Sequence, residues 1–135
     1  MMTTKSGLSV QNIHHVAIIC SDYRCSKHFY TEILGLTVVA EAYRAERDSY
    51  KLDLAVNGQY QIELFSFPNP PDRVSRPEAS GLRHLAFSVA DVEQTRAFLL
   101  EAGVDCEQIR VDEFTQKQFF FIADPDNLPI EFYEM

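Results

Sequence analysis

No stretch of this chain stays apolar for the roughly 20 residues that a helix needs to cross a bilayer, so neither a membrane span nor a membrane partner is expected. Basic residues are scarce: 12 Lys and Arg stand against 20 Asp and Glu, a formal charge of -8. That balance argues against nucleic-acid binding, which needs a basic face, and it predicts a solvated acidic surface. Cysteine is sparse too. Cys20, Cys25 and Cys106 are odd in number and lack C-x-x-C spacing, so they read as reduced thiols of a cytoplasmic protein. No segment is of low complexity. Residues 1–12 are short and polar, with one Lys and no apolar centre, and read as an N-terminal tail rather than a signal peptide. What the chain does have is a 46% hydrophobic fraction, including ten Phe, spread over 135 residues, enough for one packed domain.

It also repeats itself. Ile13-His14-His15-Val16-Ala17-Ile18 is echoed by Leu82-Arg83-His84-Leu85-Ala86-Phe87, and Ile62-Glu63-Leu64-Phe65 by Ile130-Glu131-Phe132-Tyr133. His15 and His84 are 69 residues apart, and Glu63 and Glu131 are 68 apart. In the first unit, residues 13–67, the apolar run Ile13 to Cys20 predicts a buried strand. Ser21 and Asp22 can cap a helix carrying Cys25, Phe29, Ile33 and Leu34 on one side, and Gly35 ends it. Strands are expected over Leu36 to Tyr43, Tyr50 to Val56 and Tyr60 to Phe67, with Asn57-Gly58 as a hairpin turn. The second unit, residues 82–135, restates the order. A strand over Leu82 to Val89 precedes a helix capped by Asp91, with Val92, Thr95, Phe98, Leu99 and Ala102 on one face and Gly103 at its end. Strands follow over Cys106 to Val111, Gln118 to Ala123 and Leu128 to Tyr133, the last two joined by the turn Asp124-Pro125-Asp126-Asn127. Residues 68–81 hold four Pro and read as a linker with a polyproline tendency, or as a lid or dimer arm.

Each unit thus carries one His and one Glu at matching places. Residue parity along a strand sets His15 with Ala17 and Ile19, His84 with Ala86 and Ser88, Glu63 with Phe65 and Phe67, and Glu131 with Tyr133. A carboxylate among β-formers costs several kcal/mol unless it finds a partner, and a divalent ion would supply one. If the two copies pack symmetrically, His15, Glu63, His84 and Glu131 converge. Two imidazoles and two carboxylates suit Zn, Ni, Co, Mn or Fe. His14 falls on the opposite face from His15 and is assigned to packing or surface, His28 to an exposed or half-buried helix position, and Glu134 to solvent.

With these motifs in place the chain resembles the glyoxalase, or vicinal-oxygen-chelate, superfamily. The likeness runs from about Ile13 to Glu134 and rests on the His-x-Ala-Ile first strand, Phe29-Tyr30, Leu34-Gly35-Leu36, Arg83-His84-Leu85-Ala86-Phe87, and Asp124-Pro125-Asp126 before the last Glu. The resemblance implies an α+β fold in which two tandem βαβββ modules form a cupped mixed sheet around a metal. The string resembles small bacterial metalloproteins like glyoxalase I (lactoylglutathione lyase), whose ligand order His, Glu, His, Glu falls on His15, Glu63, His84 and Glu131. Zn or Ni is then the expected cofactor. The implied substrate is a small molecule with vicinal oxygens, and the implied chemistry a lyase or isomerase proton transfer. Glu131 is the base by resemblance, with Glu63 able to act on the other face. Two departures from the glyoxalase I pattern stand out. Ile19 replaces an Arg four residues after the first ligand, and Phe67 replaces an Asn four residues after the second, which removes a polar clamp for glutathione. Arg44, Arg47, Lys51, Arg110 and Lys117 are the other candidates for anion contacts. An Fe(II)-dependent dioxygenase and a non-catalytic small-molecule binder of the same fold are the alternatives. A homodimer is expected, since four modules together bury edges that an isolated pair exposes.

Overall fold

The computed structural model describes residues 7–135. Residues 1–6 of the expected tail lie outside the described residues. The first unit contains β1 (Val16–Cys20), α1 (Tyr23–His28), β2 (Thr37–Arg44), β3 (Ser49–Val56) and β4 (Gln59–Ser66). The second contains β5 (Leu85–Val89), α2 (Val92–Glu101), β6 (Arg110–Val111), β7 (Gln118–Ala123) and β8 (Pro129–Glu134). Each unit builds one four-stranded mixed sheet, ordered β1-β4-β3-β2 and β5-β8-β7-β6. In each, the first and last strands run parallel and the other pairings are antiparallel. This is the α+β, twice-repeated βαβββ architecture that the sequence predicts.

One face of each sheet is packed. Leu52, Leu54, Ile62 and Leu64 of the first sheet and Phe120, Ile122, Ile130 and Phe132 of the second belong to a single core cluster with Phe29, Tyr30, Val92 and Leu99. The two units are also tied by polar contacts. The buried Tyr30 hydroxyl donates to Asp124 Oδ2 at 2.6 Å, and the Ser21 N–H donates to Asp126 Oδ2 at 2.9 Å. Asp124 Oδ1 in turn accepts the backbone N–H groups of Asp126 and Leu128 at 2.9 and 2.8 Å, which closes the β7–β8 turn around the tie.

Local signals set most boundaries. Asp22 caps α1 by accepting the Cys25 N–H at 3.1 Å, and Asp91 caps α2 through the Gln94 N–H at 2.9 Å. Asn57 and Gly58 both take positive φ, 49° and 80°, as the tight β3–β4 hairpin requires.

Several expectations are corrected. The opening strands begin at Val16 and Leu85, so Ile13 and Leu82 lie outside the ladders and are exposed. Only one face of β1 is buried. Ile18 and Cys20 are in the core while Ile19 is 54% exposed, so the continuous apolar run covers two different environments. In α1 the buried face carries Ser26 and leads into Phe29 and Tyr30, whereas Cys25 is exposed. The chain over Phe29–Ile33 widens into a π-helical turn, which shifts the register of the apolar stripe. In α2, Val92 and Leu99 are buried but Phe98 is 58% exposed and Ala102 is exposed. The strand expected over Cys106 to Val111 shrinks to Arg110–Val111. There the Glu107 carboxylate, at 3.0 Å, accepts the Phe121 N–H that a strand carbonyl would otherwise take.

Candidate metal centre

Each unit brings its His and its Glu together, and by the same local construction. The parallel ladder of the first sheet sets Ala17 opposite Glu63, and that of the second sets Ala86 opposite Glu131. In each case the His stands two residues before the Ala, just ahead of the first strand. A two-residue step keeps the side chain on one face, so each His joins its Glu above a methyl group. His15 Nε2 is 3.5 Å from Glu63 Oε1, and His84 Nε2 is 3.2 Å from Glu131 Oε1.

The two pairs have unlike surroundings. Glu63 Oε2 accepts from the Tyr60 hydroxyl at 3.2 Å and lies 3.3 Å from Lys51 Nζ. Lys51 also grips Asp53 at 2.8 and 3.0 Å. Its ammonium pKa is raised, first by the Asp53 hydrogen bond and then by that of Glu63, with desolvation opposing. Burial, together with the charges of Asp53 and Glu63, pushes the Tyr60 hydroxyl up to about 12, so it remains a proton donor at neutral pH. The Tyr60 ring lies along the His15 ring, with centroids 5.5 Å apart and planes 21° from parallel. Glu131 has an apolar neighbour instead. Phe121 is its partner in the β7–β8 ladder and meets the His84 ring edge-on at 5.0 Å. The cross-strand place held by Asp53 beside Glu63 is therefore held by Phe121 beside Glu131.

His14 is not on a separate packing face. Its Nδ1 lies 2.9 Å from His15 Nδ1, and its ring contacts that of Tyr60 at 5.4 Å. Parity fails at His14, which lies two residues ahead of the ladder, while His15, directly before Val16, keeps the facing of the strand. Glu134 is likewise not merely solvated, since it accepts the Gln118 N–H at 2.8 Å. His28 is exposed.

The second pair opens on a cleft of about 850 Å³, which is lined by Phe119, Phe121, Arg110 and the linker residues Arg73 and Arg76. Arg73 fastens the linker there, donating to Ser75 Oγ at 2.8 Å and to the carbonyls of Leu82 and Arg83 at 2.8 and 2.9 Å. Within one chain the two His–Glu pairs do not meet: no three His, Cys, Asp or Glu side chains among the described residues converge to hold an ion. Each pair presents one imidazole nitrogen and one carboxylate, which is half the donor set of a four-ligand divalent site.

A family model for the glyoxalase/bleomycin resistance protein/dioxygenase superfamily matches residues 12–132. The chain belongs to that superfamily. Among its relatives are two bacterial proteins. The uncharacterized protein YaeR of Escherichia coli K12 is 61% identical over 127 residues, covering 94% of this chain and 98% of YaeR. The uncharacterized protein YwkD of Bacillus subtilis 168 is 58% identical over 125 residues, covering 93% and 98%. A solved glyoxalase family protein from Enterococcus faecalis is 48% identical, with a TM-score of 0.85 over 92% of this chain and 98% of that one. Among the described residues no helix is long and apolar enough to cross a membrane.

Proposed function

We propose that this protein is a divalent-metal-dependent lyase or isomerase of the superfamily, and that a homodimer completes its site, His15 and Glu63 of one copy facing His84 and Glu131 of the other. The observation that carries this reading is the identical construction of the two half-sites, each built from a His, an Ala and a ladder-opposed Glu. Two half-sites that do not meet within a chain call for a second chain, and β1 and β5 each have one unpaired edge to offer it.

The donor set fits Zn or Ni. Held by His15, Glu63, His84 and Glu131, such an ion would supply Lewis acidity to a substrate with vicinal oxygens and so would acidify an adjacent C–H. The protein's own groups then divide the remaining work. His15 and His84 stay fixed as ligands, each beside its Glu. Glu63, held by Tyr60 and Lys51, stays fixed. Glu131, flanked by Phe121 and bonded only to His84, is free to take a proton from one carbon and return it to the next. The glutathione hemithioacetal of methylglyoxal is the first substrate to try. Ile19 and Phe67 line the floor where a polar clamp would be expected, which favours a substrate with a less polar body.

The test is subunit complementation. His15→Ala/Glu63→Ala and His84→Ala/Glu131→Ala homodimers each lose bound Zn or Ni and turnover. After mixing and exchange, half of the dimers are mixed and each carries one intact site, so about a quarter of the wild-type metal content and activity returns. If mixing restores nothing, the shared site is refuted. If all four replacements leave the metal content unchanged, the metal reading is refuted.

A further inference from the structure

On the open face of the first sheet, side chains fall into rows set by the strand registers. Ala40, Asp53, Glu63 and Ala17 form one row, and Ala42, Lys51, Phe65 and Ile19 the next. The third begins with Arg44 beside Ser49. Two rows along a strand place Arg44 roughly 13 Å from the Glu63 row, at about 3.3 Å per residue. Ile19 and Phe65, beside Lys51 in the row between them, and Phe67 stacked on Phe65 at 5.9 Å form an apolar floor.

The Arg44 guanidinium sits over this floor, 4.8 Å from the Phe65 ring centroid and 5.7 Å from that of Phe67. Arg47 covers Phe67 from 5.2 Å. Neither forms an ion pair among the described residues. Arg44 makes one hydrogen bond, to Ser49 Oγ at 2.8 Å, and its Nε is buried without an acceptor. The neighbouring acid Asp48 is engaged by the Tyr43 hydroxyl at 2.7 Å. Near the half-sites, Lys51 is committed to Asp53 and Glu63, Arg110 to Glu107 at 2.8 Å, and Arg73 to the Leu82 and Arg83 carbonyls. A guanidinium placed over an aromatic ring keeps N–H groups for a planar or tetrahedral oxyanion. Its order is fixed before any ligand arrives.

We propose that Arg44 and Arg47 form an anion subsite at the far end of this face. The ligand is then an elongated molecule with two vicinal oxygens at one end, an apolar body over Ile19, Phe65 and Phe67, and a carboxylate or phosphate on the two arginines. The chelating end rests on the metal-site reading. The anionic end does not.

Two probe sets separate the claims. The first, on metal-free protein by calorimetry, uses octanoate, octyl phosphate and the neutral 1-octanol. At least one anion binds about tenfold or more tighter than octanol. Arg47→Ala, on an exposed side chain, and Arg44→Lys both shrink that margin, and the double Ala variant abolishes it. The stronger of the two anions identifies the oxyanion. Equal binding of anions and octanol, or a margin untouched in all three variants, overturns the proposal. The second set, on Zn-loaded dimer, uses alkyl hydroxamates of graded length ending in a carboxylate or its methyl ester. Affinity peaks at the length that spans the two rows, and the acid outbinds the ester by about tenfold. Acid and ester binding alike, both with Zn dependence, overturns the subsite while leaving the metal reading standing. Arginine-dependent octanoate binding with no gain from the hydroxamate removes the metal reading and supports the subsite.

Discussion

The Tyr30 hydroxyl in the first βαβββ unit donates to the Asp124 carboxylate in the second across 2.6 Å, and both residues are buried. This bond and its neighbour from Ser21 fix how the two halves of one chain sit together. Within the chain so arranged, no three His, Cys, Asp or Glu side chains among the described residues converge on one point. Tyr30→Phe removes one of three donors to the carboxylate. The expected loss is about 1.5–3 kcal/mol, the range for a buried bond to a charged group. Urea unfolding of the dimer at fixed protein concentration measures it. A change below about 0.5 kcal/mol would place the bond among those that add nothing.

Asp124 also gives the fold a pH dependence. Burial raises its carboxyl pKa, while the Tyr30 bond and the N–H groups of Leu128 and Asp126 oppose the rise. A carboxyl raised in the folded state holds its proton where the unfolded chain has released it, from a pH of about 4 upward. The folded state then binds more protons, and its stability falls as pH rises through that window. Asp124→Asn keeps the shape and cannot ionise. The stability of wild type relative to Asp124→Asn is therefore expected to decline as pH goes from about 4 to the raised value and to level off beyond it. A difference that stays flat, or grows, contradicts the assignment.

How far the sequence carried this reading can be seen at single residues. The repeat was legible because His15 and His84, and Glu63 and Glu131, recur with almost the same offset, and period-two facing placed Ala17 and Ala86 correctly beside the ligand candidates. Strand existence was legible, and Gln118–Ala123 matches to the residue. Facing failed at His14, two residues ahead of the first ladder, where the backbone no longer follows the strand's alternation. It failed again in α2, where a 3.6-residue stripe admits both Phe98 and Leu99, and only packing decides between them. The consequence is measurable. Leu99, 2% exposed, is expected to cost about 2–5 kcal/mol as Leu99→Ala. Phe98→Glu should stay within about 0.5 kcal/mol in the same unfolding assay, unless Phe98 lies in the dimer contact, in which case the loss appears only as a concentration-dependent midpoint.

The Tyr60 and Lys51 contacts to Glu63 have no counterpart at Glu131, where Phe121 stands in the ladder position of Asp53. Groups that orient a metal ligand typically affect affinity by about 10–100-fold. Tyr60→Phe and Lys51→Met are each expected to weaken Zn binding by about tenfold or more in competition with a fluorescent chelator, with the fold retained by circular dichroism. Phe121→Leu should leave metal affinity near wild type. Equal effects at Tyr60 and Phe121 would remove the distinction between a held and a free carboxylate.

The proposed function gives the two glutamates different duties, and conservative amides test that division. Gln retains the shape of Glu and a carbonyl oxygen for coordination but cannot carry a proton between carbons. In Glu131→Gln the ion is retained, while turnover falls by about 10²–10⁴-fold, the usual contribution of a positioned acid–base group. In Glu63→Gln the larger effect falls on metal affinity, because a neutral amide replaces the carboxylate that Tyr60 and Lys51 hold in place. Turnover at saturating metal falls much less. Metal content by mass spectrometry and kcat with added Zn or Ni read the two effects separately. If Glu63→Gln abolishes turnover at full metal occupancy while Glu131→Gln does not, the duties are reversed, and the carboxylate held by Tyr60 and Lys51 is the one that moves the proton.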